Sequence, residues 1–169
     1  MFGRILNITD KTIEVEINNN RNVLPNLMNL HVVFESDSNK LLGEVRNVLE
    51  GKIHVDLKGQ FIGEKFIQGT IKKPALNSTI RLINDEELNI ILGSDNVNNI
   101  YIGKSPIYPN KNIYVSINDL FSNHLSIFGN SGSGKSCSVS RIIQNIFLNK
   151  NFLTYNANLF FFDAYGEYK

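Results

Sequence analysis

The sequence is poor in cysteine, and Cys137 is the only one among its 169 residues. A single cysteine cannot form a disulfide within the chain, which excludes a disulfide-stapled secreted fold and fits a reducing compartment. Long apolar runs are also missing, since none approaches the ~18 residues that a membrane-spanning helix needs. The N-terminus lacks the layout of a signal peptide. We therefore expect a cytoplasmic protein without membrane contacts.

The sequence also lacks an excess of charge of one sign. It has 17 Lys and Arg against 16 Asp and Glu, which gives a net charge of +1. Overall electrostatics therefore does not argue for nucleic-acid binding, and any DNA-binding surface would have to be local. The content of 42% hydrophobic and 20% charged residues is that of an ordinary globular protein with one domain or two small ones.

The first hundred or so residues predict short strands separated by turns. Residues 12–17 alternate polar and apolar side chains, as a half-buried antiparallel strand does, and form a predicted hairpin with residues 3–8. Asn84 is a predicted N-cap of a short helix over residues 85–92. Glycines at short intervals and further strands complete a predicted small β-barrel; the strands are at 31–34, 42–48, 52–55 and 79–83, with Gly59, Gly63 and Gly69.

Residues 129–136 fit the phosphate-loop pattern G-x-x-x-x-G-K-[ST] at every required position. Glycines let the backbone wrap closely around a polyphosphate, and the loop amides form an anion-binding nest. Lys135 places a positive charge near the β- and γ-phosphates, and the Ser136 hydroxyl can ligate Mg²⁺. The predicted nucleotide-binding residues are Gly129, Asn130, Ser131, Gly132, Ser133, Gly134, Lys135, Ser136 and Cys137. For Cys137, a small buried residue on the first helical turn is favoured over a redox role.

The surroundings of this loop favour a strand, loop and helix in succession. Residues 125–128 form a short apolar run that predicts a buried strand. After the loop, apolar residues recur at helical spacing, and they are Val139, Ile142, Ile143, Ile146 and Phe147. The helix N-terminus would then point at the bound phosphates.

The aromatic run 159–162 predicts a second buried parallel strand that ends at Asp163. Ligand sites of open α/β sheets lie outside the carboxyl ends of the strands. Asp163 and Glu167 are therefore candidates for contacts to water or Mg²⁺, and we group them with Lys135 as candidate catalytic residues. An aspartate that caps the following turn is an equally good interpretation of Asp163.

The residues around 96–112 predict a domain boundary, since Gly103, Pro106 and Pro109 lie among polar side chains. The predicted fold is a small antiparallel β-barrel over residues 1–105, followed by the first strand–helix–strand part of an α/β P-loop ATPase domain over residues 106–169.

One strand–helix–strand unit cannot bury both faces of its sheet. A second apolar strand ending in Asp-Glu, an arginine finger and a sensor strand are not found. We therefore expect an N-terminal fragment of a longer ATPase, itself inactive, with apolar faces left exposed.

Two motifs resemble the HerA branch of the HerA–FtsK ATPases. Residues 124–136, His-Leu-Ser-Ile-Phe-Gly-Asn-Ser-Gly-Ser-Gly-Lys-Ser, look like the phosphate loop of that branch. Residues 162–168, Phe-Asp-Ala-Tyr-Gly-Glu-Tyr, resemble its signature D-P-H-G-E-Y, with Ala164 and Tyr165 in place of Pro and His. The N-terminal strands are similar to the barrel that precedes the ATPase in this family.

The resemblance implies a hexameric ring that uses ATP and Mg²⁺ to move double-stranded DNA through its pore. It further implies a nuclease or other effector that docks on the barrel, in DNA end processing or in bacterial antiphage defence. A rival interpretation is a non-catalytic module that oligomerises and docks an effector. A small phosphate-loop kinase is disfavoured, because kinases rarely carry such a β-rich N-terminal domain.

Overall fold

The computed structural model describes residues 2–10, 12–18, 26–37, 39–69, 72–122, 124–148, 160, 162–163 and 166. The chain divides into two compact units, Met1–Ile91 and Leu92–Lys169. The boundary predicted between residues 105 and 106 concerns the domains of a larger protein and stays a prediction. None of the described helices is long and apolar enough to cross a bilayer.

The described part of the first unit contains seven strands and one helix. The strands are β1 Phe2–Ile8, β2 Thr12–Ile17, β3 His31–Ser36, β4 Asn39–Leu49, β5 Lys52–Ile62, β6 Lys65–Gln68 and β7 Thr79–Leu82, and the helix is α1 Asp85–Leu92. All the strand pairs are antiparallel. Their order is β1-β2-β5-β4-β3-β7, with β6 paired to β5. The predicted β1–β2 hairpin and helix α1 are confirmed.

Strand β5 is the central strand of this sheet, because it pairs with three other strands. Its first half pairs with β2, its second half pairs with β6, and β4 runs along both halves. The β4–β5 ladder shifts register between Leu42 and Gly43 and again between Val45 and Asn47. Such bulges bend a strand and increase its twist, which lets a sheet curl around a core.

The main core lies on the concave face of this curled sheet. The alternation of β2 places Ile13, Val15 and Ile17 inward, all of them buried. Strands β1 and β7, at opposite ends of the pairing order, contact one another and both pack on this core, through Ile5 of β1 and Ile80 of β7. The sheet is therefore a curled half-barrel, which is consistent with the predicted barrel.

Helix α1 is fixed at its start by a reciprocal cap. The Asn84 side chain accepts a hydrogen bond from the Glu87 backbone at 2.8 Å, and the Glu87 carboxylate accepts one from the Asn84 backbone at 3.1 Å. This arrangement satisfies two amides that a helix start leaves unpaired. The predicted N-cap role of Asn84 is confirmed. The helix lies over a second apolar cluster of Val33, Leu42 and Phe61, which its Ile91 contacts.

Glu87 is buried although it is charged, and its side chain is only 4% exposed. Arg81 binds its carboxylate through two nitrogens, and the Lys40 ammonium contacts the same group at 2.5 Å. Burial raises the pKa of Glu87, but the hydrogen bonds from Arg81 and Lys40 outweigh it and bring the pKa down to about 2. The pKa of Arg81 is raised by its hydrogen bond to Glu87. This cluster joins α1 to β4 and β7.

The described part of the second unit contains the hairpin β8 Asn99–Lys104 and β9 Asn112–Ser116, followed by helices α2 Ile117–Ser122 and α3 Lys135–Leu148. Its core is Ile100 of β8, Ile117 of α2 and Ile146 of α3. Strand β8 falls inside the segment that we expected to be a boundary. Helix α3 confirms the predicted helix, although its Phe147 is 69% exposed.

Candidate phosphate-binding loop

The loop of residues 129–136 leads directly into helix α3, which begins at Lys135. Gly132 and Gly134 have φ values of +78° and +87°. This left-handed conformation is costly for a residue with a Cβ atom, so the backbone favours glycine both at Gly134, which the pattern requires, and at Gly132, which occupies one of its variable positions. The loop–helix junction predicted from the sequence is thus present.

The loop closes on the carbonyl of Asn130. The Lys135 Nζ atom donates a hydrogen bond to this oxygen at 2.9 Å, and the Ser133 backbone donates to it at 3.1 Å. The half-buried Lys135 side chain is therefore folded back along the loop instead of extending into solvent. The Lys135 ammonium is held by only one carbonyl oxygen. A negatively charged group above the loop would accept a stronger hydrogen bond from it than this carbonyl does.

Gly129 lies where the loop folds closest to itself. A Cβ atom at this position would be 2.3 Å from the Ser133 hydroxyl and 3.3 Å from the Cγ of Lys135. These are shorter than ordinary contacts, so a side chain here would push Ser133 and Lys135 out of place. The first glycine of the pattern thus lies where the loop leaves little room for a side chain.

The first turn of α3 carries the remaining loop residues. The Ser138 backbone and hydroxyl both donate to the carbonyl of Gly134, at 2.8 and 2.9 Å. Ser136 is half-buried at this helix start, and Cys137 is exposed. The expectation that Cys137 is buried is wrong, because its side chain lies on the outer side of α3.

The buried strand predicted at residues 125–128 does not form. These residues lie outside any helix or strand, and Leu125, Ile127 and Phe128 are 53%, 37% and 91% exposed. A central parallel strand needs paired strands on its flanks and helices over its faces. Among the residues that the structure describes, no strand pairs with this segment. The apolar run therefore stays exposed, as the expectation of uncovered apolar faces requires.

The second predicted strand meets the same limit. Phe160 and Phe162 are 81% and 97% exposed and lie in no regular element. The expectation that they are buried in a strand is wrong for these two residues, since no described strand lies beside them. Asp163 is exposed as well, and Glu167 lies outside the described residues. Their predicted place beside the loop stays a prediction.

Within the described part of the chain, no three His, Cys, Asp or Glu side chains are grouped to hold a metal ion. The Ser136 hydroxyl, at the start of α3, stays the predicted ligand of a Mg²⁺ ion, which usually also takes phosphate oxygens and one or two carboxylates.

One polar contact of α3 could not be anticipated from the sequence. The side-chain amide of Asn145 donates to the backbone carbonyl of Tyr101 on β8, and Ile146 packs on Ile100 of the same strand. The helix that begins at the loop is thereby fixed on the β8–β9 hairpin. A lone asparagine on a helix has no sequence signal that separates such an anchor from a solvated side chain.

Comparison with known proteins supports the resemblance drawn from the motifs. Residues 100–169 match the family described as the central domain of the helicase HerA. The chain is 28% identical over 166 residues to the "DNA double-strand break repair helicase HerA" of Sulfolobus acidocaldarius. It is 31% identical over 142 residues to the "Probable DNA double-strand break repair helicase HerA" of Methanocaldococcus jannaschii.

These alignments cover most of the chain but a minor part of each relative. They include 82% and 78% of this chain, which itself spans only 31% and 25% of the two relatives. Both alignments therefore extend beyond the phosphate loop into the N-terminal strands.

Proposed function

Because the chain belongs to the HerA family, we propose that its phosphate loop binds ATP as part of an ATP-driven DNA translocase. The observation that carries this proposal is the loop itself. Its left-handed glycines lead without a break into α3, whose first residue, Lys135, folds its side chain back over the loop. That the substrate is DNA is proposed because both relatives are named as DNA double-strand break repair helicases.

The residues of the loop have distinct proposed roles. The loop amides and the N-terminus of α3 bind the β- and γ-phosphates, because amides and a helix N-terminus attract anions. Lys135 exchanges the Asn130 carbonyl for a phosphate oxygen and stabilises negative charge on the γ-phosphate. Ser136 holds Mg²⁺, which supplies further charge neutralisation when it is bound.

Asp163 and Glu167 are proposed to orient the attacking water or to contact Mg²⁺. Both belong to the motif at 162–168 that resembles the family signature. Carboxylates suit these tasks, since they accept hydrogen bonds from water and ligate hard cations. Replacing Asp163 with Asn should lower ATP turnover while ATP binding to the loop is retained. Equal loss of binding and turnover would instead indicate a structural role.

At the level of the whole protein, we propose a hexamer that moves double-stranded DNA in the cytoplasm. A partner nuclease or another effector would dock on the barrel, in end processing or in antiphage defence. The support is family membership, and the chain spans a third or less of its relatives. The proposed domains are the barrel over residues 1–105 and the ATPase part over residues 106–169.

The test of the proposal is replacement of Lys135 by Ala in a chain that carries the whole ATPase domain. We expect DNA-stimulated ATP hydrolysis to be abolished, because the ammonium that stabilises charge on the γ-phosphate is lost. Arg141→Ala is the matched control, since Arg141 is an exposed basic residue on the same helix. Unchanged turnover in the Lys135 variant would contradict the assignment of the loop.

A second candidate is a non-catalytic module that oligomerises and docks an effector. It is favoured by the contrast between the two units: the half-barrel encloses its own core, whereas the apolar residues beside the loop are exposed. On this proposal the 169-residue chain by itself does not hydrolyse ATP. Multi-angle light scattering separates the possibilities, because a hexamer of this chain indicates assembly through the barrel. If the chain is a monomer, assembly of the ring needs more of the ATPase domain than this chain contains.

A further inference from the structure

A small cavity lies at the end of α3 that is remote from the phosphate loop. It has a volume of about 230 Å³, and its walls are Asp95, Asn99, Tyr101, Tyr114, Asn145 and Leu148. Ten residues of helix separate Lys135 from Asn145, which corresponds to ~15 Å at the usual rise. The cavity is therefore separate from the loop. A nucleotide bound at the phosphate loop would leave the cavity open.

The walls of the cavity are rich in acceptors and aromatic surface. Asp95 contributes a carboxylate, and the rings of Tyr101 and Tyr114 meet edge-on with centroids 5.9 Å apart. The Asn145 side chain is held in one orientation, because its amide nitrogen donates to the Tyr101 carbonyl. No basic side chain is among the described residues that line the cavity. A carboxylate beside aromatic rings favours a cation over an anion or a neutral group.

The size of the cavity restricts the cation. A volume of about 230 Å³ lies below the range of 300 to 1,000 Å³ that is usual for cofactor-sized ligands. It suits one side-chain-sized group. A guanidinium is planar, stacks on aromatic rings and offers five donors, whereas an ammonium is compact and strongly hydrated. Leu148 provides an apolar wall for an alkyl stem.

We propose that this cavity binds an alkyl guanidinium group, with Asp95 as its ion-pair partner and the Tyr101 and Tyr114 pair as its stacking surface. The group would come either from free arginine or from an arginine side chain of a polypeptide. The chemistry is the same in both cases. The inference goes beyond ATP binding at the loop and does not depend on it.

The test is a titration of the full 169-residue chain with small probes. Binding is measured from the NMR signals of the Asn145 side-chain amide and of the two tyrosine rings. The probes are N-acetylarginine amide, which imitates an arginine within a polypeptide, free L-arginine, and N-acetylcitrulline amide. Citrulline is the neutral control, because its urea has the shape of a guanidinium without the charge. We expect saturable shifts with an arginine probe and none with citrulline. Tighter binding of the blocked probe identifies a polypeptide as the source, and tighter binding of L-arginine identifies the free amino acid.

Two variants establish where the probe binds. Asp95→Asn should weaken binding about tenfold, because it removes the only carboxylate that lines the described cavity. Asp119→Asn, an exposed carboxylate on α2, should leave the affinity unchanged. Asp95 is exposed, so its replacement leaves the core intact, which an unchanged amide spectrum elsewhere verifies. Absence of saturable binding, equal binding of citrulline, or an unaffected Asp95 variant would each overturn the proposal.

Discussion

The guanidinium of Arg81 binds the carboxylate of Glu87 at two points, with Nη1 2.8 Å from Oε2 and Nη2 2.6 Å from Oε1. Arg81 also donates from Nε and Nη2 to Glu35 of β3, at 3.2 and 3.1 Å. One side chain of β7 thus joins a helix to a neighbouring strand. Such planar two-point pairing is specific to arginine and cannot be reproduced by lysine.

Removing the buried carboxylate should destabilise the first unit. We expect Glu87→Gln to lower the free energy of unfolding by about 3 kcal/mol, because Arg81 and Lys40 then lose their buried counter-charge. Urea unfolding at pH 7 measures this change. Glu86→Gln is the control, since Glu86 is the exposed neighbour on the same turn of α1. Equal stability of the two variants would show that the buried cluster contributes nothing.

The same carboxylate should make stability fall in acid. Its pKa is about 2 in the folded chain, against an ordinary value of 4.5. Between these pH values the Glu87 carboxylate is protonated in the unfolded chain but not in the folded chain. The contribution of Glu87 to stability is therefore fully present above pH 4.5 and is lost as the pH falls toward 2. The loss is about 3 kcal/mol. Glu87→Gln should show a flatter dependence over this range, measured by urea unfolding, and an unchanged slope would contradict the assignment.

His31 should act in a different pH range. Burial lowers its pKa below the ordinary value of 6.5, with Glu44 opposing and Lys58 adding to the shift. The unfolded chain therefore takes up the proton first as the pH falls, so stability should decrease below pH 6.5. His31→Gln should remove this slope while the loss due to Glu87 persists at lower pH. A variant that keeps the slope of the parent chain would assign it to another group.

Gly59 should not tolerate a side chain. A Cβ atom there would lie 2.2 Å from the backbone carbonyl of Ile67 and 2.6 Å from the Phe66 ring. Since a carbonyl of β6 cannot rotate away, we expect Gly59→Ala to cost about 1–3 kcal/mol in thermal or urea unfolding. Gly103→Ala is the control, because nothing lies within 4 Å of its Cβ position and its φ is ordinary. A neutral Gly59 variant would mean that β6 does not pack on β5 as described.

Truncation of two adjacent residues of α3 should lower stability to very different extents. Ile146 is 5% exposed and belongs to the core of the second unit, whereas Phe147 is 69% exposed. Ile146→Ala should destabilise by about 2–4 kcal/mol, and Phe147→Ala should change stability little. Thermal unfolding followed by circular dichroism measures both. A larger loss for Phe147 would show that it is covered in solution.

The sequence predicted the elements whose side-chain pattern has one dominant cause. The alternation of residues 12–17 predicted β2, and the spacing of Val139, Ile142 and Ile146 predicted α3. It did not predict β8, because Gly103 and the nearby prolines indicate a turn while Ile100 alone is buried in the core. Residues 125–128 show the opposite error. An apolar run measures the tendency to be buried, but burial also needs partner strands, which the described residues do not supply.

Of the candidate site, the sequence predicted the loop and the start of its helix. The Asn130 carbonyl that receives Lys135 and the cavity beside Asn145 could not be anticipated, because both depend on backbone positions. The same holds for Glu87. Its sequence neighbours Asp85 and Glu86 suggest an exposed acidic helix start, and only the fold brings Arg81 and Lys40 to its carboxylate.

The contact between β1 and β7 has a kinetic consequence. Strands β4 and β5 are joined through Glu50 and Gly51, so their long ladder requires little loop closure. Ile5 and Ile80, which meet in the same core, are 75 residues apart in the sequence (80 − 5), and local pairs form before distant ones. We expect the β4–β5 hairpin to organise the transition state, and the two ends of the sheet to meet last. A φ-value for Val45→Ala no higher than that for Ile5→Val would refute this order.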